Sequence, residues 1–168
     1  MESVTLGYLL SHTATILYRQ ADQVLLERLG IGMSQFKILM LLKEESRLQQ
    51  RTLADSLGQT EASVSRQIKL LCEKGMLVSR VNKENRREHI TVPTVKGLKI
   101  VHAAEDILAT FHQPAFAELT DKERQRLTEM LTMVHAHTCQ PTKPYACDHQ
   151  AMGGSYIEAL VGGGKRID

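Results

Sequence analysis

Between Arg51 and Val92 the apolar residues change from helical spacing to short strand-like runs, and this change constrains the fold more than any other feature. A short helix is predicted from about Arg51 to Leu57, stopped at Gly58. Thr60 is a good N-cap for a second, which runs to Lys74 and meets a C-terminal stop at Gly75. So few residues join the two that they read as a helix-turn-helix. After Gly75, the residues Leu77, Val78 and Val81 read as one strand, and His89, Ile90, Thr91 and Val92 as its partner. Between them lies Asn82-Lys83-Glu84-Asn85-Arg86-Arg87, a turn-rich loop with three cations. A helix-turn-helix followed at once by a basic hairpin is the order that a winged helix requires.

The second helix of this pair has a defined inner and outer side. Val64, Ile68 and Leu71 fall at i, i+4 and i+7 and form an inward stripe. Arg66 points almost directly away from it, flanked by Ala62, Ser63, Lys69 and, at the side, Ser65. A small, polar, cationic face can enter a major groove, and its Arg can donate two hydrogen bonds to a guanine edge. The expected duplex contacts are Thr60, Ser63, Ser65, Arg66, Gln67 and Lys69 within recognition helix 60–74, with Lys83, Arg86 and Arg87 on wing 82–87. A merely solubilising surface helix is the competing reading.

Charge is distributed to match. Residues 51–100 carry ten basic and five acidic side chains, a net of +5, while the remainder of the chain is at −3 and the whole at only +2. A basic middle between acidic ends suggests a polyanion contact confined to one module. Aromatic residues make up 4% and Trp is absent, so a base-stacking platform for single strands is not expected.

The flanks read as helices. Val4 to Leu29 is apolar at helical spacing through Leu6, Leu9, Leu10, Thr13, Ile16, Leu17, Val24 and Leu25, with Gly30 at the stop. Ser34 is a good N-cap for a helix that buries Phe36, Ile38, Leu39, Leu41 and Leu42. Thr94 caps a long helix to about Gln113, which Pro114 ends or kinks. Thr120 and Glu123 form a capping box for a last helix with Leu127, Met130, Leu131 and Val134 facing inward. The first and last helices are more apolar than a small wing domain can cover, and a second copy is the simplest cover. The expected fold is mainly α: a winged helix-turn-helix with a two-stranded wing and a helical dimerisation region. Its expected divisions are 1–32 for the N-terminal dimerisation helix, 33–93 for the winged helix, 94–139 for the C-terminal dimerisation helices and 140–168 for a flexible tail. Pro141, Pro144 and five glycines in the last sixteen residues set that tail apart.

Residues from about Leu6 to Cys139 resemble the multiple antibiotic resistance regulator (MarR) family of bacterial transcription factors. The segments that carry the resemblance are Leu53-Ala54-Asp55-Ser56-Leu57-Gly58, Val64-Ser65-Arg66 and Leu71-Cys72-Glu73-Lys74-Gly75-Met76-Leu77-Val78. They continue with Arg80, Arg86-Arg87 and Thr94-Val95-Lys96-Gly97. The resemblance implies a homodimer whose terminal helices interlock, one winged helix for each half-site of double-stranded DNA, and a small molecule that loosens the complex. By position, Ser65 and Arg66 fall on the major-groove face and Arg86 or Arg87 on the minor-groove contact. Two positions depart from the family pattern. Asn82 or Asn85 stands where an Asp usually braces the wing Arg, and Pro93 stands where a Leu is usual.

Three sensor chemistries compete within that fold. A ligand cleft between the dimerisation helices and the DNA-binding module would draw on His12, Ile16, Arg19, Met33, Phe36, Met40 and Leu108, with Arg19 as anchor for an anion; plain core and a surface ion pair are the alternatives. A metal site could be built from His135, His137, Cys139, Cys147 and His149, but the spacing matches no standard finger, and His135 and His137 point about 200° apart on a helix. Cys72 on the recognition helix could sense oxidation or be inert and packed.

No cofactor is expected. No run of apolar residues suffices to span a bilayer, no signal peptide is visible, and three cysteines are too few for a secreted disulfide scaffold, so a cytoplasmic location is expected. Cys147-Asp148-His149 superficially suggests a nucleophile and base. Adjacent residues on a flexible tail cannot hold attack geometry, so an enzyme is not expected. The leading expectation is a homodimeric repressor on a pseudo-palindromic site, released by a small effector. The alternatives are a metal- or redox-sensing regulator of the same fold and a winged helix that contacts protein.

Overall fold

The computed structural model describes residues 2–45, 48–81 and 89–138. Its elements follow in the order α1 (Glu2–Leu29), α2 (Met33–Glu44), α3 (Gln50–Leu57), α4 (Glu61–Glu73), β1 (Leu77–Val81), β2 (His89–Pro93), α5 (Val95–His112), a 3-10 turn (Gln113–Phe116) and α6 (Asp121–Thr138). It is a mostly helical winged helix whose one sheet, among the described residues, is the antiparallel pair β1-β2.

The core is organised around α2. Phe36 and the run Ile38–Leu42 are all buried, so this helix is apolar nearly all round and is enclosed rather than laid on a surface. It packs against α1, α3, α4, α5 and β2. Leu25 of α1, Leu53 of α3, Val64, Ile68 and Leu71 of α4, Leu77 of β1, and Val101 and Ala104 of α5 belong to the same cluster. Each large side chain fully enclosed there contributes roughly 1.5–3 kcal/mol over its exposed state.

Local signals act as expected at three helix starts. Thr60 Oγ1 accepts from Ser63 N at 3.2 Å, and Thr94 Oγ1 accepts from Gly97 N at 3.1 Å. The Thr120–Glu123 box closes in both directions, Thr120 N to Glu123 Oε2 at 2.8 Å and Glu123 N to Thr120 Oγ1 at 3.4 Å. Pro93 ends β2 opposite Leu77, and the next donor along, Thr94 N, bonds Met76 O at 3.0 Å. The proline therefore removes no internal rung of the ladder. Immediately beyond, α5 passes so close to the preceding turn that a Cβ at Gly97 would overlap the carbonyl oxygen of Met76. Only glycine permits that approach.

Two expectations are corrected. Ser34 is not the cap of α2: the N-cap is Gly32, whose side chain offers nothing, and Asp22 of α1 supplies the oxygen by accepting from Met33 N at 2.7 Å. The cap comes from eleven residues upstream, so no local pattern could reveal it. Nor do the apolar residues of α6 face inward. Met130, Leu131 and Val134 are exposed, Leu127 is half-buried, and α6 has no buried residue at all. Helix α1 behaves similarly, with Ala21 and Leu25 buried near its end but Leu6, Leu9, Leu10 and Ile16 exposed.

Candidate nucleic-acid interface

The interface is built on α4. Burial of Val64, Ile68 and Leu71 fixes its rotation about its own axis, because turning the helix would expose all three together. The opposite face then presents Ala62, Ser65, Arg66 and Lys69, all exposed, with Ser63 and Gln67 half-buried at its margins. Thr60, the cap, is exposed at the helix start. Leu70 also reaches this face at 37% exposure, an apolar element that charge-based reading passed over. The turn entering α4 is fixed by Gly58, whose φ of 60° is the left-handed conformation that glycine adopts without strain. Its N–H bonds Asp55 O, and Gln59 N bonds Ala54 O at 2.9 Å.

Gln59 does more than complete the turn. Its Nε2 donates to Ser34 Oγ on α2 at 2.9 Å, and its Oε1 accepts from Ser63 Oγ on α4 at 3.3 Å. The far end of α4 is held by exposed lysines. Lys74 Nζ donates to Gly30 O at the end of α1 at 2.5 Å, and Lys96 Nζ of α5 donates to Lys74 O at 2.8 Å. Cations suit helix C-terminal carbonyls, where the peptide dipoles leave partial negative charge. Lys74 and Lys96 belong to the basic middle, yet their ammonium groups address the protein itself. The outward cationic surface is accordingly narrower than the +5 total implies; Arg66, Lys69 and Arg80 of β1 are exposed. Wing residues Asn82, Lys83, Asn85, Arg86 and Arg87 lie outside the described residues.

The sensor candidates differ in burial. His12, Ile16 and Arg19 are exposed on α1, Met33 and Leu108 are half-buried, and Phe36 and Met40 are buried in the core around α2. His12 stacks on Tyr8 with ring centroids 5.5 Å apart, and Lys37 Nζ sits 5.0 Å over the ring of Tyr18. Burial, then the Asp22 carboxylate, pushes the Tyr18 hydroxyl up from the ordinary phenol range. A separate open cleft of about 550 Å³ lies where α5 turns into α6, lined by Ala109, His112, Gln113, Phe116, Ala117 and Arg124.

Cys72 is half-buried against the core, and burial raises its thiol above the usual range; Glu73 adds to the rise and a backbone hydrogen bond at Ser79 opposes it. Such a thiol holds little of the reactive thiolate at neutral pH. His135 and His137 lie in the last turn of α6, while Cys139, Cys147 and His149 lie outside the described residues, as does the whole segment 140–168. Among the described residues no group of three or more His, Cys, Asp and Glu could hold a metal ion, and no helix is long and apolar enough to cross a membrane.

Residues 31–89 match the model of the MarR family. No curated protein matches the chain. Among solved structures, a MarR transcriptional regulator from Methanosarcina mazei Go1 is 25% identical with a TM-score of 0.68, over 78% of this chain and 96% of that one. The S. aureus MepR–DNA complex is 24% identical with a TM-score of 0.61, over 79% and 95%. CouR from Rhodococcus jostii RHA1, bound to p-coumaroyl-CoA, is 20% identical with a TM-score of 0.63, over 77% and 90%. The last two show likeness of fold.

Proposed function

The chain carries a MarR-family domain at residues 31–89, and from that premise we propose that it is a transcriptional regulator that binds double-stranded DNA as a homodimer. The observation that carries this reading is the outward face of α4, where Ser65, Arg66 and Lys69 are exposed opposite a fully buried stripe. In the proposed complex α4 enters the major groove, with Arg66 as the guanine reader and Thr60, Ser63, Ser65, Gln67 and Lys69 around it. Lys83, Arg86 and Arg87 of the wing follow the backbone into the neighbouring minor groove. MepR, which shares the fold, is the protein of a DNA complex.

Dimerisation is proposed from the exposed apolar residues of α1 and α6, including Leu6, Leu9, Leu10, Ile16, Met130, Leu131 and Val134. So many large apolar side chains on two helices call for a second copy, and a two-fold axis would place two α4 helices on a pseudo-palindrome. Residues 1–32 and 94–139 then serve association, and 33–93 serve reading. The proposed action is repression in the cytoplasm, relieved by a small-molecule effector; CouR, which shares the fold, is bound to p-coumaroyl-CoA. Of the residues considered for effector contact, His12, Ile16 and Arg19 still have surface to offer, whereas Phe36 and Met40 are already enclosed by this chain. Catalysis is not part of the proposal.

The test is selection of duplexes from a randomised library by the full chain, followed by affinity measurement over a range of salt. An inverted repeat is expected, with affinity falling steeply as salt rises. Arg66→Ala combined with Arg86→Ala is expected to weaken binding at least tenfold. A library that yields no enriched sequence, or a salt slope near zero, would overturn the reading.

A further inference from the structure

The start of α2 meets the turn and second helix of the helix-turn-helix at a polar junction that neither the apolar core nor the outward face of α4 accounts for. Gln59 stands in the turn between α3 and α4, a position at which nothing in the backbone geometry calls for a long amide. Its side chain nonetheless turns back and spans two helices, donating to Ser34 Oγ at the start of α2 and accepting from Ser63 Oγ in the first turn of α4. Ser34 Oγ lies 3.3 Å from Gln59 Oε1 as well, so the hydroxyl can bond either amide atom. All three groups are part-buried, where a broken neutral hydrogen bond is not simply replaced by water.

The start of α2 is fixed from its other side. Met33, the neighbour of Ser34, donates its backbone N–H to Asp22 Oδ1 of α1. One helix end thus joins α1, through Asp22, to the first turn of α4, through Gln59. Ser63 is one residue from the buried Val64 and three from the exposed Arg66, so restraint at Ser63 sets both the tilt and the axial position of the reading face.

We propose that Gln59 is a positioning residue for DNA recognition: it clamps the first turn of α4 to the start of α2 and thereby sets the angle at which Arg66 meets the duplex. This rests on the DNA-binding reading above, and it adds a residue that does not itself touch DNA.

The experiment compares the full wild-type chain with Gln59→Leu, Ser34→Ala and the double variant, on the duplex that the wild type selects from a randomised library. Affinity is measured over a range of salt, and thermal unfolding is followed in parallel. Gln59→Leu is expected to weaken binding roughly three- to tenfold, the worth of one or two part-buried neutral hydrogen bonds. The salt slope should stay that of the wild type, because no phosphate contact is lost. Ser34→Ala should act in the same direction, and the double variant should be no weaker than Gln59→Leu alone, since both break one link. Unchanged affinity in Gln59→Leu would overturn the proposal. So would a slope reduced by about one, which would make Gln59 a phosphate contact, or losses that add in full. Ser34→Ala, which removes a single hydroxyl, carries the test if Gln59→Leu does not fold.

A readout without DNA separates this proposal from the one it rests on. In either single variant the backbone amide signals of residues 33–35 and 61–63 should shift together. Independent shifts would refute the clamp even in a chain that binds DNA. Failure of the wild type to select any duplex would instead refute the DNA-binding reading.

Discussion

Asp22 Oδ1 on α1 accepts the backbone N–H of Met33 at 2.7 Å and so caps a helix that begins on the far side of a turn. Gly32 lies between them without a side chain, and a Cβ there would meet the same Asp22 oxygen at 2.7 Å. Asp22→Ala should therefore cost about 1 kcal/mol, the usual worth of an N-cap. That corresponds to a fall of about 2–4 °C in thermal midpoint for a domain of this size. Asp22→Asn keeps a carbonyl oxygen in place and should retain most of the stability, which the same thermal scan would reveal.

Gly97→Ala inverts the usual helix rule. In an open helix the change would gain up to about 1 kcal/mol. Here the new methyl would collide with Met76 O, the acceptor for Thr94 N and Thr94 Oγ1. Backbone cannot move aside as a flexible side chain can, so a net loss of roughly 1–3 kcal/mol is expected. A urea melt with unchanged slope and a lower midpoint would agree; a stabilised variant would not.

The exposed side of α6 offers a separate test of association. Leu131→Asp with Val134→Asp places two charges on a helix that has no buried residue. Sedimentation should shift from dimer to monomer while helical circular dichroism is largely kept. DNA affinity should fall steeply, because a monomer holds only one half-site. A dimer that survives both changes would argue against this face.

Cys72 should behave as a slow thiol. In a chain with Cys139→Ser and Cys147→Ser, its alkylation at neutral pH is expected to lag behind that of a free cysteine. The rate should climb only above the ordinary thiol range, since burial holds the proton on. Alkylation as fast as that of a model thiol would contradict the packing described for Cys72.

Glu123 supplies a pH dependence of known sign. The hydroxyl of Thr120, then its backbone N–H, bonds the carboxylate and lowers its pKa. A lowered folded pKa contributes stability that is present above the unfolded value and lost as pH falls through the folded one. Thr120→Val removes the larger cause, so Glu123 should titrate closer to the ordinary glutamate range by NMR. The acid side of the stability profile should then become shallower.

Much of this fold is legible in the sequence because its signals are local. Thr60, Thr94 and Thr120 each satisfy a donor three residues ahead, and Gly30, Gly58 and Gly75 each occupy a left-handed position at a helix end. The rotation of α4 follows from three apolar residues at helical spacing. The cap of α2 is not legible, because Asp22 is brought to it only by packing of α1 on the core. Lys74 and Lys96 add to the basic count of residues 51–100 although they bond the protein's own carbonyls, since charge counts do not say which way an ammonium group turns. Helix periodicity likewise finds the apolar sides of α1 and α6 without saying which way they face; it is their excess of apolar surface over what a small wing domain can cover that points to a second copy. Gln59 is hidden for a plainer reason: a polar residue in a turn is expected to be solvated.

The restraints at both ends of α4 make the reading head behave as a keyed shaft. Gln59 stops its first turn from swinging, and Lys74, with Lys96 behind it, ties its last turn to the end of α1. A helix pinned twice cannot roll within its socket to show a different row of side chains. Displacement of α1 would reach the head through Lys74 at Gly30 O and through Asp22 at the start of α2. In the proposed dimer, an effector that displaces α1 would alter the span between two heads and leave each head's choice of bases as it was. Release from DNA would then be a failure of pitch rather than of recognition, and operators with altered half-site spacing would be the ones to expose it.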